Sequence, residues 1–164
     1  MILSMSAPIS LDEFDIRLLA ALERDGALTN QQLGEQVHLS PSQISRRRQR
    51  LEEAGIIRRI RAELDAGHLG LGLIVFIRVT LATHNRDNDR QFSDLVTRNA
   101  QVQEAYTMTG DADFLLKVLA RDLAHLHHLI ADVLLPHPSV ARVSSSIVLT
   151  RLKEGGSVLA ASRD

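Results

Sequence analysis

Residues 29–51, TNQQLGEQVHLSPSQISRRRQRL, contain two helix starts in quick succession. Thr29 and Gln32 have the spacing of a capping box, in which an N-cap hydroxyl and a Glu or Gln three residues later satisfy each other's backbone N–H groups. Ser40 and Gln43 repeat the pattern, with a proline in the first helical turn, where its missing N–H has no cost. The stretch therefore predicts two helices joined by a short link, which is the helix-turn-helix pattern.

The residues on either side of this stretch extend the predicted unit. Ser10 and Glu13 predict another capping box and a preceding helix, which ends where Asp25–Gly26 interrupts its apolar periodicity. Gly55 closes the last helix of the motif. The following segment Ile56–Leu64 is β-branched and partly alternating, so we predict a strand or small hairpin there, a wing.

Basic charge is concentrated on this unit. Residues 38–61 hold seven arginines and two glutamates, a net +5 in a chain whose total formal charge is −1. A local basic patch is typical of a phosphate-contacting surface, and the second helix of such a motif places side chains at base edges. We predict base contacts from Ser42, Gln43, Ser45 and Arg46, and phosphate contacts from Arg47, Arg48, Arg50, Arg58 and Arg59. The alternative is a three-helix bundle whose basic face is merely solvated.

Composition excludes several classes. The chain of 164 residues has average hydrophobic content at 45% and contains no cysteine, which excludes a disulfide framework and thiolate metal sites. Aromatic residues are 3% of the chain, too few to favour single-strand binding by base stacking. The longest apolar run, residues 69–77, is far shorter than the ~20 residues of a membrane span. We expect a cytoplasmic protein without a membrane segment.

The second half of the chain has the order β-α-β-β-α-β, after a glycine-rich joint. The predicted strands are 73–82, 102–109, 113–120 and 140–152, and the predicted helices are 89–99 and 122–135. Two such split units form a ferredoxin-like sheet with both helices on one face. Because the other face needs a cover, the pattern predicts dimerisation. The fold class is therefore α+β.

The candidate catalytic and metal-binding residues favour structural interpretations. Asp111 and Asp113 flank a single residue after a glycine, which is typical of a turn between strands. His125 and His128 can share a helix face, but no further ligand stands at a convincing spacing. No nucleophile is paired with a base. We therefore expect no enzyme, no metal and no cofactor.

Several segments together resemble one family. They are residues 12–19 (DEFDIRLL), 39–42 (LSPS), 50–57 (RLEEAGII) and 109–116 (TGDADFLL), in an order that spans residues 11–155. This combination resembles the Lrp/AsnC transcriptional regulators. The resemblance implies a winged helix-turn-helix followed by a ferredoxin-like regulatory domain, in dimers that often assemble into octamers and bind amino-acid effectors between subunits. It adds Ser40 to the DNA contacts and implies effector contacts from Thr107, Thr109, Gly110, Asp111, Asp113, Leu123, Ser146, Ile147 and Val148.

The resemblance also sets domain limits and has one departure. We expect a DNA-binding domain at 8–65, a linker at 66–72, an effector and oligomerisation domain at 73–155, and a tail at 156–164. Ala112 and Phe114 stand where the family commonly has an aromatic residue and a tyrosine, so the usual ligands do not transfer directly. The predicted function is a nucleoid-associated, effector-responsive regulator of transcription. The alternatives are an architectural DNA-binding protein with little effector control and a metabolic ligand-binding module.

Overall fold

The computed structural model describes residues 10–82 and 86–162, and these residues form two compact units. The first unit contains residues 10–63 together with 153–162. The second unit comprises residues 64–152, which lie between those two segments in the sequence. Residues 8–9 of the predicted first domain and residues 163–164 of the predicted tail lie outside the described residues.

Three helices build the first unit: α1 (Glu13–Arg24), α2 (Asn30–Val37) and α3 (Pro41–Glu53). Both capping boxes predicted for α2 and α3 are present, with Thr29 and Ser40 as N-caps. Because each box links residues only three positions apart, the local sequence determines it. The apolar faces of the helices meet in a core made of Leu18, Ala21, Leu33, Val37, Ile44 and Leu51.

The capping residue predicted for α1 is wrong. The N-cap is Asp12, whose carboxylate accepts the N–H of Asp15 at 2.8 Å, while the Asp15 carboxylate accepts the N–H of Asp12 at 3.1 Å. Ser10 lies before the helix and makes no cap. Two aspartates can satisfy each other's backbone groups as Ser and Glu would, and here they displace the predicted box by two residues.

The strand or hairpin predicted for residues 56–64 is also wrong. This segment is fully described and runs as irregular chain after α3. Two of its isoleucines pack on the helical part of this unit. Ile57 packs on the core. Ile60 lies so close to Gly26 that a Cβ added to that glycine would be 2.8 Å from the Ile60 side chain. The alternation of Ile and Arg therefore reflects anchoring of a loop to the helices.

The residues after the second unit return to the first. Ser157 caps a short helix α6 (Val158–Ala161), and its hydroxyl donates to the Glu23 carboxylate at 2.6 Å. The N–H of Val158 donates to the same carboxylate at 2.8 Å. The Ser157 hydroxyl, with help from backbone N–H groups, holds the pKa of Glu23 below its ordinary value. The segment predicted as a tail thus packs on α1.

The second unit contains the predicted antiparallel sheet, with strand order β2-β3-β1-β4. Its elements are β1 (Leu73–Leu81), α4 (Arg86–Arg98), β2 (Val102–Thr107), β3 (Phe114–Ala120), α5 (Leu123–His128) and β4 (Val140–Ile147). The ferredoxin-like class is therefore confirmed. β4 ends five residues before the predicted limit, and α5 continues as a π-helical segment, Leu129–Leu134, which completes the predicted helix.

The two faces of the sheet differ. One face carries the alternating buried residues of β1 and β3 and packs on Phe92 of α4 and Leu126 of α5. The opposite face carries Phe76, exposed by 37%, and Tyr106, exposed by 51%. This second face is the one for which the sequence predicts a cover. None of the helices within the described residues has both the length and the apolar character needed to cross a membrane.

Candidate nucleic-acid interface and ligand cleft

The outward face of α3 is polar and carries the residues best placed to meet another molecule. Ile44 and Leu51 are fully buried on the core side of the helix. Ser42, Ser45, Arg46 and Gln49 are three or four positions apart and all exposed, so they form one stripe on the opposite side. We call these four residues the reading stripe. Gln49 was missed in the sequence analysis, although its spacing from Ser45 and Arg46 was a sufficient signal.

The chemistry of the reading stripe suits base edges. Arg46 makes no hydrogen bond or ion pair with any residue that the structure describes, so its guanidinium is available for a bidentate contact. Hydroxyls at Ser42 and Ser45 can donate or accept. The carboxamide of Gln49 donates to Glu53 at 2.9 Å, an exposed contact that a base could replace. The stripe therefore offers donors and acceptors on a rigid helix.

Ser40 and Gln43 are committed to capping α3. The Gln43 side-chain oxygen accepts the N–H of Ser40 at 3.0 Å and its hydroxyl at 2.9 Å, and Ser40 Oγ accepts the N–H of Gln43 at 3.3 Å. A bidentate contact between Gln43 and adenine would need the same oxygen. Gln43 thus positions the helix, and Ser40 places its hydroxyl 3.1 Å from that of Ser42 at the edge of the reading stripe.

Arg47 and Arg50 belong to α3, but their guanidinium groups contact acidic residues at the start of α1 instead of lying on the reading stripe. Arg47 donates to Asp12 at 2.6 Å and to Asp15 at 2.8 Å, and Arg50 forms an ion pair with Asp15. The Arg47 guanidinium also lies 5.5 Å from the centre of the Phe14 ring. Hydrogen bonds to Asp12 and then Asp15 raise the pKa of Arg47, so it stays charged. Both arginines therefore join α3 to α1.

The remaining predicted cations are accessible. Arg48 is paired with Glu52 at 2.9 Å along α3. Arg58 and Arg59 are exposed on the irregular segment after α3, and neither makes a hydrogen bond or ion pair within residues 10–82 and 86–162. Together with Arg46 they are the predicted contacts whose guanidinium groups are uncommitted. Such groups can neutralise phosphates and set the register of a duplex on the protein.

The link between α2 and α3 is tight and fixes the angle at which α3 is presented. His38 has φ of 62°, a left-handed conformation that residues other than glycine rarely adopt. The N–H of Leu39 then donates to the carbonyl of Gly34 at 3.0 Å. A Cβ on Gly34 would lie 2.5 Å from the carbonyl oxygen of Leu39, so only glycine allows this approach.

The second unit has a shallow cleft of about 410 Å³ at the β2–β3 turn. Within that turn, the N–H of Met108 donates to the Asp113 carbonyl at 2.8 Å, and the N–H of Leu81 donates to the Asp113 carboxylate at 2.7 Å. Asp113 therefore ties the turn to the end of β1 as well as facing the cleft. The lining residues are Asp89, Arg90, Ser93, Thr107, Met108, Asp113 and Phe114.

Three of these lining residues come from α4 and were missed in the sequence analysis. Asp89, Arg90 and Ser93 follow helical spacing and are exposed, and a single sequence does not show which turn the outer face of α4 lies against. They bring both charge signs to a cleft that also has apolar walls from Met108 and Phe114. Phe114 contacts Phe92 at 4.7 Å between ring centres, so its ring also belongs to the core.

The predicted effector residues fall into two groups within this chain. Thr107, Thr109, Gly110, Asp111 and Asp113 lie at the C-terminal end of β1, where the Thr80 hydroxyl donates to the Asp111 carbonyl. Ser146, Ile147 and Val148 lie at its N-terminal end, where the N–H of Val148 donates to the Ile74 carbonyl. Leu123 follows β3 at that same end. Ile74 and Thr80 are six residues apart, which is roughly 20 Å at about 3.3 Å per residue.

The histidines of α5 are not assembled into a site. His128 and Asp132 form an exposed i,i+4 pair at 2.7 Å, and the Nδ1 atom of His125 accepts the N–H of Arg121 at 3.3 Å. Within the described parts of the chain, no group of three or more His, Cys, Asp or Glu side chains could hold a metal ion.

Comparisons with known proteins match both units. Residues 11–58 match the model of a winged helix-turn-helix DNA-binding domain, and residues 74–158 match the Lrp/AsnC ligand-binding domain. The transcriptional regulator AzlB of Bacillus subtilis is 35% identical over 150 residues, which cover 92% of this chain and 96% of that protein. The leucine-responsive regulatory protein of Escherichia coli is 31% identical over 153 residues, 93% of each chain.

A solved structure agrees over nearly the whole chain. It is a transcriptional regulator from Neisseria meningitidis in complex with L-Met, with a TM-score of 0.87 and 38% sequence identity. The alignment covers 91% of this chain and 96% of that one. AsnC of Escherichia coli superposes with a TM-score of 0.82 at 25% identity, over 90% of this chain and 98% of that one.

Proposed function

The chain belongs to the Lrp/AsnC family of transcriptional regulators, and we propose that its α3 reads duplex DNA through the reading stripe while an amino acid bound to the second unit controls the affinity. The chain is thus an effector-responsive DNA-binding regulator. The observation that carries the DNA-reading role is the uncommitted guanidinium of Arg46, exposed on α3 opposite the buried Ile44 and Leu51.

The proposed roles differ within the predicted contact set. Ser42, Ser45, Arg46 and Gln49 read base edges, while Arg58 and Arg59 contact phosphates. Gln43 acts as the cap that holds α3 in place. This division is supported by exposure and by the hydrogen bonds already described. We propose that the protein is a regulator without catalytic activity. We also propose that it is associated with the nucleoid in the cytoplasm, where its DNA target lies.

The proposed effector is an amino acid, as in the L-Met complex of the Neisseria meningitidis regulator. The cleft suits a zwitterion because Arg90 can bind a carboxylate, while Asp89 and Asp113 can attract an ammonium group. Apolar side chains of Met108 and Phe114 would contact the ligand side chain.

We also propose that the working form is a homodimer that assembles further, up to an octamer. The two effector groups lie at opposite ends of β1, so one chain cannot bring both to one ligand. A second copy can. The sheet face that carries Phe76 and Tyr106 offers apolar surface for the first contact between copies.

Mobility shifts on fragments of the protein's own promoter test the proposed function. We expect salt-dependent shifts that change when an amino-acid mixture is added. R46A should lower the discrimination between operator and random duplex by about 5- to 150-fold, the equivalent of ~1–3 kcal/mol for one bidentate contact. R17A is the matched control, since Arg17 is an exposed arginine of α1 paired with Glu13.

Three outcomes would contradict parts of the proposal. Absence of any shift at low salt would refute DNA binding. A sequence-binding profile unchanged in R46A would remove Arg46 from base reading. Shifts indifferent to all amino acids would remove the proposed effector class and leave the DNA-reading role standing.

A further inference from the structure

Asp15 is a fully buried carboxylate at the contact between α1 and α3. Its relative exposure is 0%, and both of its oxygens have charged partners. One oxygen accepts from Arg47 at 2.8 Å, and the other pairs with Arg50 and accepts the N–H of Asp12. Because a buried carboxylate is costly without such partners, the folded unit holds both guanidinium groups on α1.

The two arginines differ in how far they are enclosed. The Arg47 side chain is 25% exposed, faces Asp12 and Asp15, and lies over the Phe14 ring. The Arg50 side chain is 49% exposed. Arg50 also follows Arg46 by four residues, so it lies one helical turn further along the edge of the reading stripe. Without the Asp15 carboxylate, the half-exposed Arg50 guanidinium would lie at the edge of that stripe without this partner.

The Asp15 carboxylate offers these arginines anionic oxygens, as a phosphate group of a DNA duplex would. A guanidinium binds the two oxygens of a carboxylate or a phosphate in the same planar arrangement. Every phosphate contact adds affinity for all sequences alike, whereas a base contact adds affinity for one sequence. Removing an arginine from the phosphate contacts therefore raises the share of binding that depends on sequence.

We propose that Asp15 is a specificity-determining positioning residue that withholds Arg50 from DNA phosphates. This role rests on the proposed function, because it presupposes that α3 lies on DNA. It reassigns Arg50, which the sequence predicted as a DNA contact, whereas Arg47 keeps Asp12 as a second partner. Asp15 acts only through Arg50 and does not itself touch the duplex.

The test compares the D15N full-length chain with the wild type on two duplexes of equal length, the promoter fragment and a random sequence, over a series of KCl concentrations. Each phosphate contact contributes about 0.9 to the slope of log affinity against log salt. We expect D15N to steepen that slope by about 1, to bind the random duplex several-fold more tightly at low salt, and to lose several-fold in the ratio between the two duplexes.

E13Q is the matched control, because Glu13 is an exposed acid of the same helix paired with Arg17. It should leave slope and ratio unchanged. A change in stability alone would alter the fraction of active protein, which is measured by stoichiometric titration, and would not alter the slope. An unchanged slope in folded D15N would overturn the inference.

R50Q provides a second test, which does not depend on whether D15N folds. If Arg50 is withheld from DNA, R50Q keeps the wild-type slope. A slope reduced by about 1 would show that Arg50 already contacts a phosphate and would overturn the inference. In either case the wild type still binds its promoter, so the proposed function stands; absence of wild-type binding would refute that function itself.

Discussion

Substitution of Gly34 by alanine tests the tight link between α2 and α3. The added Cβ would lie 2.5 Å from the Leu39 carbonyl oxygen, about 0.9 Å inside the 3.4 Å at which ordinary contact begins. The obstructing atom belongs to the backbone, so the link itself must move. Such overpacking costs about 1–3 kcal/mol, and alanine returns about 1 kcal/mol of helix propensity.

Because the clash is with backbone, we place the overpacking cost near the top of that range and expect a net loss of about 1–2 kcal/mol in the free energy of unfolding of the first unit. Urea unfolding followed by circular dichroism measures the loss, and amide hydrogen exchange in the three helices assigns it to this unit. G34A should also bind the promoter more weakly, because the start of α3 shifts with the link.

E35A is the matched control for G34A, since Glu35 is an exposed neighbour on the same helix. It changes helix propensity without adding an atom near the link and should leave the unfolding free energy within about 0.5 kcal/mol of the wild type. A G34A chain as stable as the wild type, or more stable, would refute the close approach of the link to α2.

Three further substitutions have defined outcomes. H38G should raise the free energy of unfolding, measured with urea, by up to about 1 kcal/mol. Glycine removes the left-handed strain at this position, and that gain exceeds the cost of the entropy that glycine adds to the unfolded chain. A lower free energy of unfolding would contradict the strained conformation. The pKa of Glu23 lies below its ordinary 4.5, so the contact between its carboxylate and α6 stabilises the folded first unit fully above pH 4.5, and this stabilisation is lost as the pH falls through the lowered pKa. E23Q should flatten the pH dependence of the Val158 amide shift in NMR. An unchanged curve would contradict the contact. R90A should abolish the response of promoter binding to L-Met or to an amino-acid mixture while ligand-free binding persists, with R98A as the control; a full response in R90A would exclude the cleft as the effector site.

The parts of the fold predicted from sequence are those fixed by short-range pattern. The boxes at Thr29 and Ser40 connect residues three apart, and the β-α-β-β-α-β order follows from the periodicities of six successive segments. At Ser10 the same rule chose the wrong box, because Asp12 and Asp15 offered an equally good pair two residues later.

The parts that the sequence did not predict depend on contacts between distant residues. Asp15 and Arg50 are 35 positions apart, and nothing in a run of arginines shows which of them faces an acid rather than solvent. The isoleucines after Gly55 have the composition of a strand, but packing against Gly26 and the helical core decides their conformation. The α4 side of the cleft is likewise a tertiary feature.

The return of residues 153–162 to the first unit has a consequence for synthesis. The ribosome releases α1, α2 and α3 well before the segment that packs on Glu23. At about 5–20 residues per second, the intervening second unit takes on the order of 5–18 s to translate. During that interval α1, α2 and α3 fold without the contact between Glu23 and α6. A chain truncated after residue 152 would carry a permanently incomplete first unit.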